Sequence, residues 1–284
     1  MVTKALPRGR FPNISKEVKM YKRGADSDSR PKTPFVPDGT TSLRSLSLEN
    51  VVFVNVEGVP ELADYDNLTP QMKSFWEAAV ASRLADGATA ESLYSTAGEV
   101  AEFGKVASIT AGVVRRRGDD EPPYFVTTSY VGDDERDLLT QFSAMIDKFF
   151  SDKEGLHYLC GHGIWQRDVP FLAKRMLVNG LPLPALFDSN GRRPLRAQLV
   201  DTAEFWTFSD HSASRASAPL LAAVFGLDAE DSDFDPAEAA RLFREDDSEA
   251  LQLRSERKAL LYAQLLLRFR GEGVIDPSHV VRKV

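Results

Sequence analysis

The sequence predicts an α/β fold in which a β-sheet is covered by helices on its faces. Short apolar runs rich in β-branched residues alternate along the chain with segments of helical periodicity. The helical segments accumulate toward the C-terminus, where the longest of them lies. Strands that alternate with helices bury both faces of a sheet. We therefore expect one domain over residues 47–284, preceded by a basic flexible segment over residues 1–46.

Strands are predicted where apolar residues follow one another almost without interruption. The run over 51–56 is β-branched and ends near a glycine, which is typical of a strand buried on both faces. Further strands are predicted over 105–114, 124–131, 157–163 and, as a strand or a strand and loop, 197–206. The second and third of these five form a hairpin, and Arg115–Arg117 at its connection predicts a solvated strand end.

Helices are predicted over 69–84, 134–152, 169–180, 214–226, 235–245 and 247–270. The first places four apolar residues on one side, namely Met72, Phe75, Trp76 and Ala79. Asp133 and Asp134 suit the start of the second helix, because carboxylates cap helix N-termini and favour their positive dipole. Asn179 and Gly180 predict the end of the third.

Composition excludes several classes of protein. A hydrophobic content of 43% and a charged content of 27% over 284 residues are typical of a soluble globular chain. No apolar run has the length needed to cross a bilayer, and the N-terminus lacks an apolar signal core. A single cysteine, Cys160, excludes an internal disulfide framework. We expect a cytoplasmic protein with no membrane partner.

Charge is distributed unevenly along the chain. Residues 1–45 contain ten Lys and Arg against four acids, so this segment carries +6 and the remainder carries −13 of the total −7. A basic arm on an acidic body is typical of a segment that meets an anionic partner, either nucleic acid or a protein. A purely solubilising extension is the alternative.

Five segments in order along the chain carry a family resemblance. They are YDNLTP, AEFGKVASITAG, LCGHGIWQRDVPFLAKRMLVNGLPLP, LVDTAEFW and LLLRFRGE. Together they resemble a bacterial family of predicted 3′–5′ exonucleases related to the proofreading domain of family-B DNA polymerases. The resemblance covers Val51 to Glu272. It implies an RNase H-like exonuclease fold, with a mixed central β-sheet flanked by helices and a long C-terminal helix.

The resemblance implies four acidic ligands for two divalent ions and a tyrosine. The first motif is Asp-x-Glu on the first strand, where this chain has Asn55 and Glu57, so the aspartate is lost and the glutamate kept. Gly58 replaces the threonine that follows. Asparagine keeps the shape of aspartate and loses the negative charge that a hard cation needs.

The second and third motifs are altered as well. In the second, Asp168 matches the expected aspartate, while Gly163 and Arg167 replace an asparagine and an aromatic residue. The third motif is Tyr-x-x-x-Asp on the final helix, where Arg254 and Lys258 stand. No catalytic set is therefore intact.

The substitutions on the final helix bring positive charge to the place of the metal ions. Arg254 and Lys258 are four residues apart and face the same side of a helix. We expect Lys258 to pair with Glu57 or Asp168 and to take the place of a metal. If a metal is bound, Glu57 and Asp168 are its ligands, with Asp201 as a further candidate. The alternative for Asp201 is a structural carboxylate at a strand end.

Three functions stay open. The first is a degenerate exonuclease-like protein, a pseudoenzyme without a cofactor, that binds a single strand or 3′ end through Arg167, Arg254, Lys258 and His162 without efficient hydrolysis. The second is an active 3′–5′ exonuclease with an atypical site that uses Mg²⁺ or Mn²⁺. The third is a protein-interaction scaffold in a DNA repair or defence assembly, with the basic N-terminal segment as the docking element.

Overall fold

A computed structural model describes residues 43, 46–84, 87–118, 121–151, 156–188, 198–208, 210 and 215–283, all within one compact unit, Val36–Val284. They form an α/β structure with a mixed six-stranded sheet flanked by helices. Of the predicted N-terminal segment, residues 1–42, 44 and 45 lie outside the described residues, whereas Leu46 is buried in the core and Leu43 packs against it. No helix in the described part of the chain is long and apolar enough to cross a membrane.

The sheet has β1 at its centre. The strands are β1 (Val51–Pro60), β2 (Gly104–Arg115), β3 (Tyr124–Val131), β4 (Tyr158–Gly161), β5 (Leu199–Asp201) and β6 (Val280–Arg282). Their order across the sheet is β5-β4-β1-β2-β3-β6. β2 pairs antiparallel with β1 and β3, whereas β1–β4, β4–β5 and β3–β6 are parallel pairs. The first four predicted strands and the hairpin are thus confirmed.

Each predicted helix is present, and one short helix, α4, was not predicted. They are α1 (Pro70–Val80), α2 (Glu135–Phe150), α3 (Asp168–Val178), α4 (Thr202–Thr207), α5 (Ala218–Phe225), α6 (Pro236–Arg244) and α7 (Ser248–Phe269). Asp134 accepts a hydrogen bond from the Asp137 amide and so caps α2, as predicted. Gly180 adopts φ 64°, the left-handed conformation that ends α3.

Three predictions of local structure are wrong. The strand expected over 197–206 covers three residues, because the Asp201 carboxylate accepts hydrogen bonds from the Ala203 and Glu204 amides and starts α4. The helix expected from residue 214 begins at Ala218, where Ser217 is the cap. Phe75, expected on the buried face of α1, is 55% exposed, and Ala79 is exposed as well. Trp76 is buried as expected, and Val80 is the second buried residue of that helix.

Residues of β1 alternate between two apolar cores, one on each face of the sheet. Val51 and Phe53 pack with α5 and α7, whereas Val52 and Val54 pack with α2 and α3. Because side chains along a strand alternate between faces, the next odd-numbered residues of β1 point toward α7. That alternation places the polar end of β1 against the longest helix.

A buried ion pair fixes α2 and α3 against β2. Arg175 donates to both carboxylate oxygens of Glu135, at 2.8 and 2.6 Å. Glu135 also accepts from the Val106 amide of β2 at 2.6 Å, and Arg175 donates to the Ala101 carbonyl oxygen at 2.9 Å. Both side chains are buried, so Glu135 depends on Arg175 for compensation, whereas Arg175 has a second counter-charge in the half-exposed Glu61 carboxylate at 3.4 Å.

We expect Glu135→Gln to lower the free energy of unfolding by about 3 kcal/mol, because it leaves the buried Arg175 guanidinium with only the half-exposed Glu61 carboxylate, 3.4 Å away, as a counter-charge. Denaturant unfolding measures the change. The matched control is Glu102→Gln, which breaks the exposed Glu102–Lys174 pair and is expected to cost less than about 1 kcal/mol. Equal losses in the two variants would contradict the buried, mutually compensating Glu135–Arg175 pair.

Candidate functional site

Polar residues at the end of β1 meet a polar stripe on α7. Asn55 and Glu57 lie on the face of β1 that is turned toward α7, and both are buried. Residues Arg254, Lys258 and Tyr262 recur every four positions along α7 and therefore share one side of the helix. The structure thus brings the first and third motif positions into direct contact.

Glu57 is held between two cations. The Lys258 Nζ atom lies 2.9 Å from Oε1 of Glu57, and the Arg254 Nε atom lies 3.1 Å from its Oε2. Residue exposure is 3% for Glu57, 2% for Arg254 and 8% for Lys258. Of the two acids considered as partners for Lys258, Glu57 is the one that forms the ion pair. We call these three residues the Glu57 cluster.

Main-chain oxygens fix Arg254 within the cluster. Its Nη1 donates to the Ser232 carbonyl oxygen, and its Nη2 donates to the Asp235 carbonyl oxygen at 2.9 Å. Asp235 is also the N-cap of α6, because its side chain accepts from the Ala237 amide. Arg254 therefore ties α7 to the chain that enters α6, and its hydrogen bonds are directed into the protein.

The amide of Asn55 performs a role that an aspartate could not. Its Nδ2 donates to Glu57 Oε1 at 2.8 Å and to Ser255 Oγ at 3.0 Å. Its Oδ1 accepts from the Tyr262 hydroxyl at 3.2 Å. A carboxylate at this position would face Glu57 as a like charge and has no N–H to donate. Asn55 is therefore part of a hydrogen-bond network that uses both its donor and its acceptor atoms.

Burial and pairing set the ionisation of the cluster. Burial raises the pKa of the Glu57 carboxyl, but the charges of Lys258 and Arg254 outweigh it, and the pKa lies below its ordinary value. Burial lowers the pKa of the Lys258 amine, and the charge of Glu57 opposes that shift. The negative charge of Glu57 is thus the state that the two cations stabilise.

Asp168 lies near the cluster at the first residue of α3. Its Oδ1 accepts from Arg167 Nε at 3.1 Å, whereas Oδ2 is buried without a hydrogen-bond partner among the described residues. Burial raises the pKa of this carboxyl, against the opposing charge of Arg167. Glu57, Asp168 and Lys258 all line one pocket of about 70 Å³. The three motif positions therefore converge, with Arg167 half-exposed at the same pocket.

His162 and Asp201 belong to a separate set of structural hydrogen bonds. The His162 ring nitrogens lie 3.0 Å from Thr202 Oγ1 and 2.9 Å from the Ala216 carbonyl oxygen, and burial lowers the pKa of the ring. Asp201 accepts from the Gly163 amide at 2.8 Å while it caps α4. These contacts correspond to the structural alternative for Asp201. They direct the Asp201 carboxylate toward the turn after β4 and the His162 ring toward Thr202 and Ala216.

A close backbone approach that sequence reasoning missed narrows the pocket. A Cβ atom built on Gly58 would lie 2.1 Å from the Gly98 carbonyl oxygen, and one on Gly98 would lie 2.4 Å from the Gly58 oxygen. The segment Tyr94–Glu99 therefore packs on β1 at the position where the resemblance implies a threonine. No signal in the sequence pairs these two glycines, because they are distant along the chain.

The residues at this site do not fit a pair of divalent ions. Among the described residues, no group of three His, Cys, Asp or Glu side chains is placed to hold a metal ion. The Lys258 ammonium stands against Glu57, and like charges at about 4 Å cost of order 4 kcal/mol in a partly buried site. We derive no metal-dependent step from this arrangement. Its chemistry is that of a hydrogen-bonded cluster in which two cations compensate the Glu57 carboxylate.

Comparison with known proteins gives no independent assignment. No model of a known family matches the chain, and no curated protein matches it. The function is therefore inferred from the geometry of the site and from the resemblance in the motifs.

We expect Glu57→Gln to lower the free energy of unfolding by about 3 kcal/mol or more at pH 7, since it leaves two buried cations unpaired. Because the native pKa of Glu57 is lowered, the advantage of the wild type is present above about pH 4.3 and shrinks as the pH falls below it. Urea unfolding of both proteins at several pH values measures the difference.

Adding Lys258→Met to Glu57→Gln separates charge from packing. The double variant removes one uncompensated cation, so it should recover part of the stability lost in Glu57→Gln. The buried ion pair would be contradicted if the double variant lost the sum of what Glu57→Gln and Lys258→Met lose separately. It would also be contradicted if the difference in stability between wild type and Glu57→Gln did not change with pH.

Proposed function

We propose that the chain is a catalytically degenerate 3′–5′ exonuclease-like protein with an RNase H-like fold. In this proposal it binds single-stranded nucleic acid or a 3′ end without efficient hydrolysis. The observation that carries it is the Lys258 ammonium, 2.9 Å from Glu57 where the resemblance implies a divalent ion. The mixed sheet and the long α7 are compatible with the proposed fold.

Convergence of the motif positions supports the exonuclease ancestry. Glu57, Asp168 and Lys258 come from β1, α3 and α7, which are distant in sequence. They nevertheless line one pocket, as the resemblance requires of the three motifs. An accidental likeness confined to sequence would have no reason to bring these positions together.

Loss of hydrolysis follows from the charges. Two-metal hydrolysis needs paired ions that stabilise the attacking and leaving oxygens. Here the cations are covalently part of the chain, and the positions of one aspartate and the tyrosine are occupied by Lys258 and Arg254. A lysine can neutralise Glu57, but it cannot supply a bound hydroxide as a metal does.

The four cations that the sequence predicts as nucleic-acid contacts differ in their exposure to solvent. Arg254 and Lys258 are buried and paired with Glu57, and His162 is buried in structural hydrogen bonds. Arg167 is the half-exposed member of the four, with 49% of its side chain accessible. Because the other three are buried, Arg167 is the candidate contact at the pocket, and the main nucleic-acid contact is expected on other surfaces.

A labelled single strand incubated with Mg²⁺ or Mn²⁺ tests the loss of hydrolysis. We expect the strand to remain intact under conditions in which the protein binds it, because no metal-competent ligand set is formed. The control is Asp168→Asn, which should behave as the wild type does. Degradation that depends on the divalent ion and is lost in Asp168→Asn would instead establish an active exonuclease.

A second experiment returns carboxylates to the site. In Asn55→Asp/Lys258→Asp, Mn²⁺ should raise the melting temperature by roughly 5 °C at about 100 times its Kd, since binding to the folded state stabilises it. The wild type and the surface control Asn67→Asp/Lys174→Asp should not respond. An equal rise in the wild type would contradict the claim that Lys258 takes the place of the metal.

A further inference from the structure

Arginines collect at the end of the sheet that lies away from the Glu57 cluster. Arg115 ends β2 beside the start of β1, and Arg270 directly follows α7. The distance along β1 from Glu57 back to Val51 is roughly 20 Å at about 3.3 Å per residue. The distance along α7 from Lys258 to Arg270 is about 18 Å at about 1.5 Å per residue. Both elements therefore carry the cluster at one end and arginines at the other.

These arginines line an open groove of about 480 Å³, a volume within the range of ligand sites. The walls are formed by residues 46–49, 114–116, Arg270, Glu272 and Gly273. We call this feature the arginine groove. It is far larger than the pocket of about 70 Å³ beside Glu57.

Main-chain carbonyl groups hold two of the guanidinium groups in place. Arg115 Nη1 donates to the Glu49 carbonyl oxygen at 2.7 Å. Arg270 Nη1 donates to the carbonyl oxygens of Leu43 and Leu46, both at 2.6 Å. A carbonyl oxygen orients a guanidinium but does not cancel its charge, and each group keeps further N–H donors. The cationic side chains are thus fixed before any ligand arrives.

The arginine groove has an excess of positive charge. The Glu272 carboxylate accepts from Arg270 at 2.6 Å and from Arg116 at 3.2 Å, so two cations share one acid. Glu49 is the second acid of the lining, against three arginines. Arg117 follows along the chain as an exposed cation outside the lining, over the ring of Tyr124. On a chain with a net charge of −7, this local excess attracts an anion.

We propose that the arginine groove binds the phosphodiester backbone of a single-stranded nucleic acid. Arginine presents a planar fork of donors that matches the oxygens of a phosphate, and fixed guanidinium groups lose little freedom on binding. Contacts to phosphates give affinity without sequence preference. The inference rests on the proposed function for its ligand, and it moves the contact roughly 20 Å from Glu57.

Anisotropy of a labelled thymidine strand of about 20 nucleotides, added to the full chain at about 50 mM salt, tests the proposal. Arg115→Glu/Arg116→Glu, which reverses the charge of two arginines of the lining, should weaken binding by at least about tenfold and lower the slope of log affinity against log salt by roughly 1.4, at about 0.7 per lost phosphate contact. The matched control, Arg241→Glu/Arg244→Glu on α6, makes the same change of charge at exposed arginines and should bind within about twofold of the wild type.

The outcomes separate the groove from the proposed function. Binding that is unchanged in Arg115→Glu/Arg116→Glu, or weakened equally in the α6 control, would overturn the arginine groove while the protein still binds nucleic acid. A wild type that does not bind the strand at low salt would overturn the nucleic-acid part of the proposed function and the groove with it.

Discussion

The buried carboxylate of Glu57 is the charge around which the end of the sheet is arranged. An ion removed from water costs several kcal/mol unless a partner compensates it, and the compensation here comes from two residues of α7. Arg254 extends the constraint to the carbonyl groups of Ser232 and Asp235, so the entry to α6 is fixed as well. β1, α6 and α7 are therefore positioned by one electrostatic network as well as by apolar packing.

Under the proposed function, Lys258 stands where a metal ion would bind, and this changes what the site can do. A divalent ion exchanges with solvent and binds water, whereas the Lys258 ammonium is a permanent part of the fold with three donors and no acceptor. Asn55 completes the arrangement by donating to Glu57 and accepting from Tyr262. The Glu57 cluster then stabilises one end of the sheet, and the proposed ligand site is the arginine groove at the other end.

The long elements could be predicted from the sequence. Helices that are buried on one side repeat a helical period over several turns, and strands that are buried on both faces are nearly continuous apolar runs. α4 and β6 are too short to show a period, and α4 depends on a side-chain cap. At the site, the motif positions came from the family resemblance. Ser255 and Tyr262 could have been added from helical spacing beside Arg254 and Lys258. The contact of Gly58 with Gly98 could not, because it is a long-range approach of two backbones.

The state of the Lys258 ammonium tests the central claim most directly. Nitrogen-15 NMR of the lysine side chains, assigned with Lys258→Met, would follow this group against pH and added Mg²⁺. We predict an ammonium protected from exchange, with a pKa below that of the exposed lysines and no response to Mg²⁺. A Lys258 that exchanges freely, titrates with the exposed lysines and moves when Mg²⁺ is added would contradict the claim.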